Sequence, residues 1–256
     1  MSTAAWKPAL KNALYALGFP LYSAFSARVG FTFFYKRRGQ WRARSRGRSF
    51  DVPEPRLWVL EYFRHFLPAP GAVVFDVGGE FGRESAQFAE LVGRDGRVFV
   101  FECMPDHVGR LRELAQQHPQ MAVVDSACWN TDTELKFFLG STPGSNTAVP
   151  DAKGQRGQSL AREDGSVLMV QARRLDRLWQ ELHAGRPVDF LKMDIEGAEY
   201  EALEGAPAML AQTRHAVIAA YHIRDGVPTA ARVDAMLKAA GFRTRVDENL
   251  HVYAWR

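Results

Sequence analysis

The sequence predicts an α/β fold built on a mostly parallel sheet with helices on both faces. Two observations carry that expectation. From Gly71 onward, apolar runs of strand length alternate with segments of helical spacing. The first of those runs ends in a glycine-rich turn, "VVFDVGGEFGRES" (Val73–Ser85). Acids also recur where the runs stop, at Asp76, Glu102, Asp125 and Asp194. In an open α/β sheet, ligands bind beyond those strand ends.

Each element follows from its local pattern. Strands are expected at 72–77, 97–102, 121–126, 133–139, 167–172, 188–194, 215–221, 242–247 and 250–255. Helices are expected at 83–92, 105–117, 174–184, 197–211 and 229–240, where apolar residues return at helical spacing. The short turn between the last two strands suggests an antiparallel pair closing the sheet. Residues 140–166 break the rhythm, being rich in glycine and polar residues with no apolar period. A connection of that length is either a lid over a pocket or a disordered segment, and disorder is the plainer reading.

The chain divides into an arm, 1–50, and a body, 51–256. The arm holds ten of the 33 Lys and Arg residues and none of the 29 acids, so the net charge of +4 conceals an acidic body. Aromatic residues from Trp6 to Trp41 lie between those cations. No stretch of the arm reaches the roughly 20 apolar residues that span a bilayer, and no signal-peptide pattern is present. The arm therefore reads in two ways. It is an amphipathic, polybasic segment lying on an anionic membrane surface, or a helix over 8–35 packing on the body with its arginines solvated. Only two cysteines occur, Cys103 and Cys128, with no zinc or disulfide spacing, which favours a reducing cytoplasm. The membrane reading of the arm adds a peripheral place at the inner membrane surface.

The turn after the first strand reads Asp76-x-Gly78-x-x-x-Gly82 rather than G-x-G-x-x-G, and Glu80 sits within it. Pyrophosphate prefers a helix N-terminus free of acids. S-adenosylmethionine has no phosphate and carries a sulfonium and an ammonium against one carboxylate, so acids suit its cationic end. Glycines would allow the backbone to approach it closely. Glu102 is placed to accept two ribose hydroxyls, which would serve a dinucleotide equally well.

The segments "FDVGGEFGRES", "RVFVFECMPDHVGRL", "RLDRL" and "DFLKMDIEGAEYEALEGA" together resemble the FkbM family of S-adenosylmethionine-dependent methyltransferases, from about Val73 to the C-terminus. The resemblance implies a Rossmann-like class I methyltransferase fold, with a mostly parallel seven-stranded sheet and an antiparallel C-terminal strand; the N-terminal helical basic arm is an addition that lies outside the resemblance. It also implies O-methylation of a sugar, glycan, glycolipid or natural-product hydroxyl. Carried over by position, Asp76, Gly78 and Gly82 shape the cofactor loop, Glu102 binds the ribose, and Asp125 with Ser126 lies beside the adenine; Gly79, Glu80 and Cys103 are counted with them as cofactor-binding. Asp194 is counted among the cofactor-binding residues as well. Family members usually have Ala-Asn where this chain has Gly79-Glu80, which raises the negative charge there.

For catalysis, His222 is the first candidate base, since it follows a predicted strand at the carboxyl edge of the sheet and titrates near neutrality. Asp194 is the second. Asp194 and Glu196 could together hold a divalent metal, but no histidine or further acid stands at a fixed spacing from them, so no metal ligand set is assigned. Glu199, in the first turn of a predicted helix, reads as a partner of the helix dipole. Three other functions compete. One is an RNA 2′-O-methyltransferase that uses the arm for phosphates, although nucleic acid is not the expected partner. Another is a non-catalytic scaffold of the same fold. The third is an NAD-dependent oxidoreductase, which the glycine spacing disfavours.

Overall fold

The computed structural model of the chain describes residues 32–37, 40–45, 48–51 and 61–256. Three short antiparallel strands come first, β1 (Thr32–Arg37), β2 (Gln40–Ser45) and β3 (Arg48–Asp51). A helix running to residue 35 is therefore corrected at its end, because Thr32–Tyr35 is strand. Thr, Phe and Tyr in succession favour that conformation. The rest of the expected arm helix, and with it most of the membrane reading, lies outside the described residues.

The body is a seven-stranded sheet. Its strands are β4 (Val73–Val77), β5 (Arg97–Glu102), β6 (Met121–Asp125), β10 (Val188–Met193), β11 (Thr213–Ala219), β14 (Arg243–Val246) and β15 (His251–Trp255), in the spatial order β14-β15-β11-β10-β4-β5-β6. Only β15 runs antiparallel to its neighbours. The expected closing pair is thus β14 with β15. Strand order reverses between β4 and β10, which opens a crevice beyond their carboxyl ends.

Two expected strands join a different sheet. β8 (Thr133–Phe138) and β9 (Val167–Arg173) pair antiparallel, and the two-residue β7 (Ala127–Cys128) adds to β9. A tiny hairpin, β12 (Ile223–Arg224) with β13 (Val227–Pro228), follows β11.

Alternation along the strands buries both faces of the main sheet, as a sheet covered by helices on both sides requires. Phe75 and Val77 pack on one side with Leu178 and Trp179 of α3 (Leu175–His183). The same side holds α4 (Glu199–Glu204), α5 (Pro207–Ala211) and α6 (Ala230–Ala239). Val74 and Val98 pack on the other side with Phe88 and Leu91 of α1 (Arg83–Val92) and Leu111 of α2 (Pro105–Ala115). The single helix expected over 197–211 is broken at Gly205 and Ala206, and α5 restarts on Pro207 at its first turn.

Asp247 ties the start of the body to its end. It takes a 2.7 Å bond from Arg64, lies 3.7 Å from His251 Nδ1 and accepts the Tyr253 hydroxyl at 3.1 Å. Burial alone would raise its pKa, but His251 and Arg64 outweigh that and hold it well below the usual range. A carboxylate with a depressed pKa stabilises the fold above its unfolded pKa of about 3.9, and that contribution fades as pH falls through the folded value. Asp247→Asn should therefore lower the urea midpoint at pH 7, and the gap to wild type should close below about pH 4. A gap that stays constant into acid would contradict the ion-pair account.

Candidate active site

The turn after β4 is folded against the protein itself. The amides of Gly78 and Gly79 both donate to Phe101 O, at 3.0 and 3.2 Å, and Gly82 N donates to Gly79 O at 2.8 Å. Glu80 N donates to Glu102 Oε2 at 2.9 Å. These four amides are therefore spent internally, so the turn is no cradle for a phosphate.

The glycines answer to packing as well. At Gly78, with φ +85°, an added Cβ would stand 1.9 Å from Asp194 O, and at Gly82 it would meet Leu114 Cδ2 at 2.5 Å. The close backbone approach expected for a ligand is here an approach of the turn to the end of β10. Gly78→Ala should cost about 2–3 kcal/mol, combining left-handed backbone strain with the displaced carbonyl. Melting should fall by about 5–10 °C. A shift under about 2 °C would mean that the carbonyl gives way freely.

Beneath the turn lies a buried ion pair that sequence reasoning missed. Lys192, 3% exposed, sits 3.1 Å from Asp76 Oδ1 and donates to Gly78 O at 2.6 Å. Asp76, fully buried, also accepts Ser85 Oγ at 2.6 Å. Burial would lower the Lys192 pKa, but Asp76, Asp194 and Glu84 outweigh it and raise it. A lysine inside the apolar run "VDFLKM" was the available signal.

Above the turn is a cavity of about 830 Å³, bounded by the ends of β4, β5 and β10, by residues 126–129 and by the 140–166 segment. That volume suits a drug-sized ligand with room beside it. The segment is an ordered cover rather than a disordered loop. Thr147 Oγ1 donates to Glu196 O at 2.7 Å, and Lys153 exchanges backbone hydrogen bonds with Ile223. Ala152 and Leu160, within the segment, are buried.

The expected site residues divide. Gly78, Glu80, Glu102, Cys103, Ser126 and Asp194 line the cavity. Asp76, Gly79 and Gly82 do not, since they lie under or behind the turn. Asp125 is also off the wall. It is half exposed and pairs with Arg112 at 3.1 Å on the outer surface. Ser126 turns its hydroxyl to Ala127 O at 2.8 Å. Of the four strand-end acids, two therefore face the cavity. Glu80, Glu84 and Glu196 join them, so five wall acids outnumber Arg83 and Arg156 and the wall stays acidic once Lys192 is counted against Asp76.

Glu102 is held more tightly than a ribose ligand alone needs. Oε1 accepts Cys103 N at 2.8 Å and Met104 N at 2.9 Å, Oε2 accepts Glu80 N, and His107 Nδ1 stands 3.6 Å away. Burial would raise its pKa, but His107 and the amides of Met104 and Cys103 outweigh that and lower it. Burial pushes both thiols, Cys103 and Cys128, well up, so neither is a ready nucleophile.

At the far end of the cavity, Asp194 Oδ2 accepts the Tyr62 hydroxyl at 2.9 Å and the Tyr221 hydroxyl at 3.2 Å. Its pKa is lowered, because Lys192, His222 and Tyr62 outweigh the effect of burial. Tyr62 left no signal in the sequence. His222 is fully buried behind this wall. Its Nδ1 lies 2.9 Å from Glu199 Oε1, and its Nε2 lies 3.3 Å from Glu196 Oε2 and 3.8 Å from Asp194 Oδ1. Burial would lower its pKa, yet Glu199, Glu196 and Asp194 raise it well above the usual value. Its ring stands behind Asp194 and Glu196 and does not line the cavity, so it is not placed to take a proton from a substrate there directly. Nor is His222 an exposed residue of the turn that begins there. Glu199 serves His222 and accepts Gly197 N at 3.0 Å, beyond any role with the helix dipole.

A seven-stranded sheet in this order, with a ligand-sized cavity over its switch point, defines a Rossmann-like fold of methyltransferase type. A crystal structure of methyltransferase FkbM from Methylobacillus flagellatus KT shares that fold, with a TM-score of 0.54 at 17% identity, over 80% of this chain and 48% of that one. The family model for the methyltransferase FkbM domain matches residues 76–244, more than half of the sequence, and the chain belongs to that family. Two curated proteins are similar. The AMB antimetabolite synthetase AmbE of Pseudomonas aeruginosa is 30% identical over 212 residues, 70% of this chain. The 2-O-methyltransferase NoeI of Sinorhizobium fredii is 25% identical over 182 residues, 68% of this chain and 74% of its own length. The chain spans only 10% of AmbE.

Proposed function

We propose that this protein transfers a methyl group from S-adenosylmethionine to a hydroxyl of a sugar, glycan or natural product. The observation that carries the reading is the acid-walled cavity over a turn whose amides at Gly78, Gly79, Glu80 and Gly82 are already spent. That site suits a ligand with a cationic end and no phosphate. The name of NoeI, a 2-O-methyltransferase, supports oxygen as the methylated atom, and that of AmbE, an antimetabolite synthetase, supports a natural product as the acceptor.

When bound, S-adenosylmethionine supplies an activated methyl on a sulfonium. This chain's residues do the rest. Glu102 and the loop it ties down shape the nucleoside end, while Cys103, Met104 and Ala127 line the wall beside it. The 140–166 cover excludes water. Asp194, aimed by Tyr62 and Tyr221, accepts the hydroxyl's hydrogen bond and aligns its lone pair, which is the main contribution required of such a site. His222 stands behind Asp194 as a positioning group.

Calorimetry with S-adenosylmethionine, followed by a search for a one-methyl mass shift in a cell extract, tests the reading. Absence of binding heat would favour a scaffold. The reading of the arm as a membrane contact rests on its composition alone. Residues 1–50 should carry the protein down with anionic vesicles at low salt and release it at high salt, where screening shortens to a few ångströms. Sedimentation unchanged by deleting them would exclude that role.

A further inference from the structure

We propose that Asp194, Glu196 and His222 form a binding site for one divalent cation at the cavity wall. Each of the three offers one donor atom, and these atoms all lie within 4.8 Å of one another. The two contacts to Nε2, at 3.8 and 3.3 Å, fall between the roughly 3 Å and 4.2 Å separations of cis and trans donors on a cation with bonds of about 2.1 Å. A modest contraction brings all three onto one ion.

His222 is the independent observation. It is fully buried, and neither of its ring nitrogens finds a well-aligned hydrogen-bond acceptor. Nε2 points into the gap between the two carboxylates. On its other side Glu199 Oε1 stands 2.9 Å from Nδ1. A carboxylate behind a histidine is the arrangement that fixes the ring of a metal ligand and turns the opposite nitrogen toward the ion. Without an ion, three carboxylates crowd one imidazole ring. A divalent charge relieves that imbalance better than a single ring proton does.

The donor set decides the class of ion. Two carboxylate oxygens and one imidazole suit Mn²⁺, Mg²⁺ or Zn²⁺ and not a soft monovalent ion. Asp194 and Glu196 are 20% and 23% exposed and line the cavity, so the open coordination positions face the space left for an acceptor. On the O-methyltransferase reading those positions would take the acceptor oxygen. Binding of the ion does not depend on that reading.

The test uses the full-length protein after chelator treatment and dialysis, titrated with Mn²⁺ and followed by the loss of the free-ion electron paramagnetic resonance signal, with Zn²⁺ in a parallel calorimetric titration. One equivalent should bind in the micromolar range. Glu196→Gln and Asp194→Asn should each weaken it at least tenfold. Both positions are partly exposed, which avoids the folding risk of replacing buried His222, and circular dichroism confirms that the variants are folded. S-adenosylmethionine binding is measured on the same samples. Mn²⁺ bound by a protein that ignores S-adenosylmethionine would uphold the cation site and sink the methyltransferase reading. No binding of either metal up to millimolar concentration, or binding that both variants retain in full, would overturn the proposal.

Discussion

Replacing Lys192 with methionine is expected to cost about 3–5 kcal/mol of stability, a large share of the roughly 5–15 kcal/mol that holds a domain together. Methionine keeps most of the length of the side chain and removes its charge. Asp76 would then remain fully buried, with Ser85 Oγ as its remaining close donor, and Gly78 O would lose the ammonium 2.6 Å away. Most of the cost is the stranded carboxylate, not the lost attraction. Adding Asp76→Asn to Lys192→Met should therefore recover part of the loss. A group whose pKa is raised on folding stabilises fully below its unfolded value, about 10.4 for lysine, and loses that contribution only above it. The deficit should accordingly be flat from pH 6 to 9 in urea unfolding. A deficit under about 1 kcal/mol would mean that water reaches the pair.

The strands were legible because their β-branched and aromatic runs are short and end in turn residues or acids. The helices were legible because their apolar spacing is plain. What local period does not reveal is partnership. Nothing within "TELKFFL" or "VLMVQA" says that these strands pair with each other and leave the main sheet, since that choice is made by the segment returning between them. Thr147 and Lys153 pin that segment through one side-chain and two backbone hydrogen bonds, which leave no mark in composition. The helix expected up to residue 35 failed at Thr32–Tyr35 for a related reason, because aromatic residues serve either conformation until a strand partner is found.

The acids were legible as residues at strand ends but not by their facing. Asp76 and Asp194 close neighbouring strands, yet one lies under a lysine while the other meets the cavity, because Asp76 pairs with Lys192 inside the sheet whereas Asp194 stands two residues further on, past the end of β10. The cluster around His222 needed the fold entirely. Glu196 and Glu199 come from the turn and helix after β10, and His222 from the residues after β11, so their meeting depends on the parallel pairing of those two strands.

The largest functional effect should come from Glu102→Ala, which should weaken binding of S-adenosylhomocysteine, the uncharged product, by about 100-fold, or roughly 2.7 kcal/mol. The carboxylate joins three amides, one from the glycine turn and two from the residues just before α2. A carboxylate offers about four acceptor positions, so these bonds leave about one for a ribose hydroxyl. Each bond to the charged group is worth about 1.5–3 kcal/mol, and three orphaned amides would let the turn and the cavity wall drift apart. Glu102→Gln should fall between, because its amide keeps one acceptor oxygen and turns an NH₂ toward donors. The pKa of Glu102 is lowered on folding, so its contribution holds at neutral pH and fades as pH drops through the folded value, below about 4.3. The gap between wild type and Glu102→Ala should therefore be constant from pH 6 to 8. A variant that binds the product as tightly as wild type while melting normally would remove Glu102 from the cofactor site.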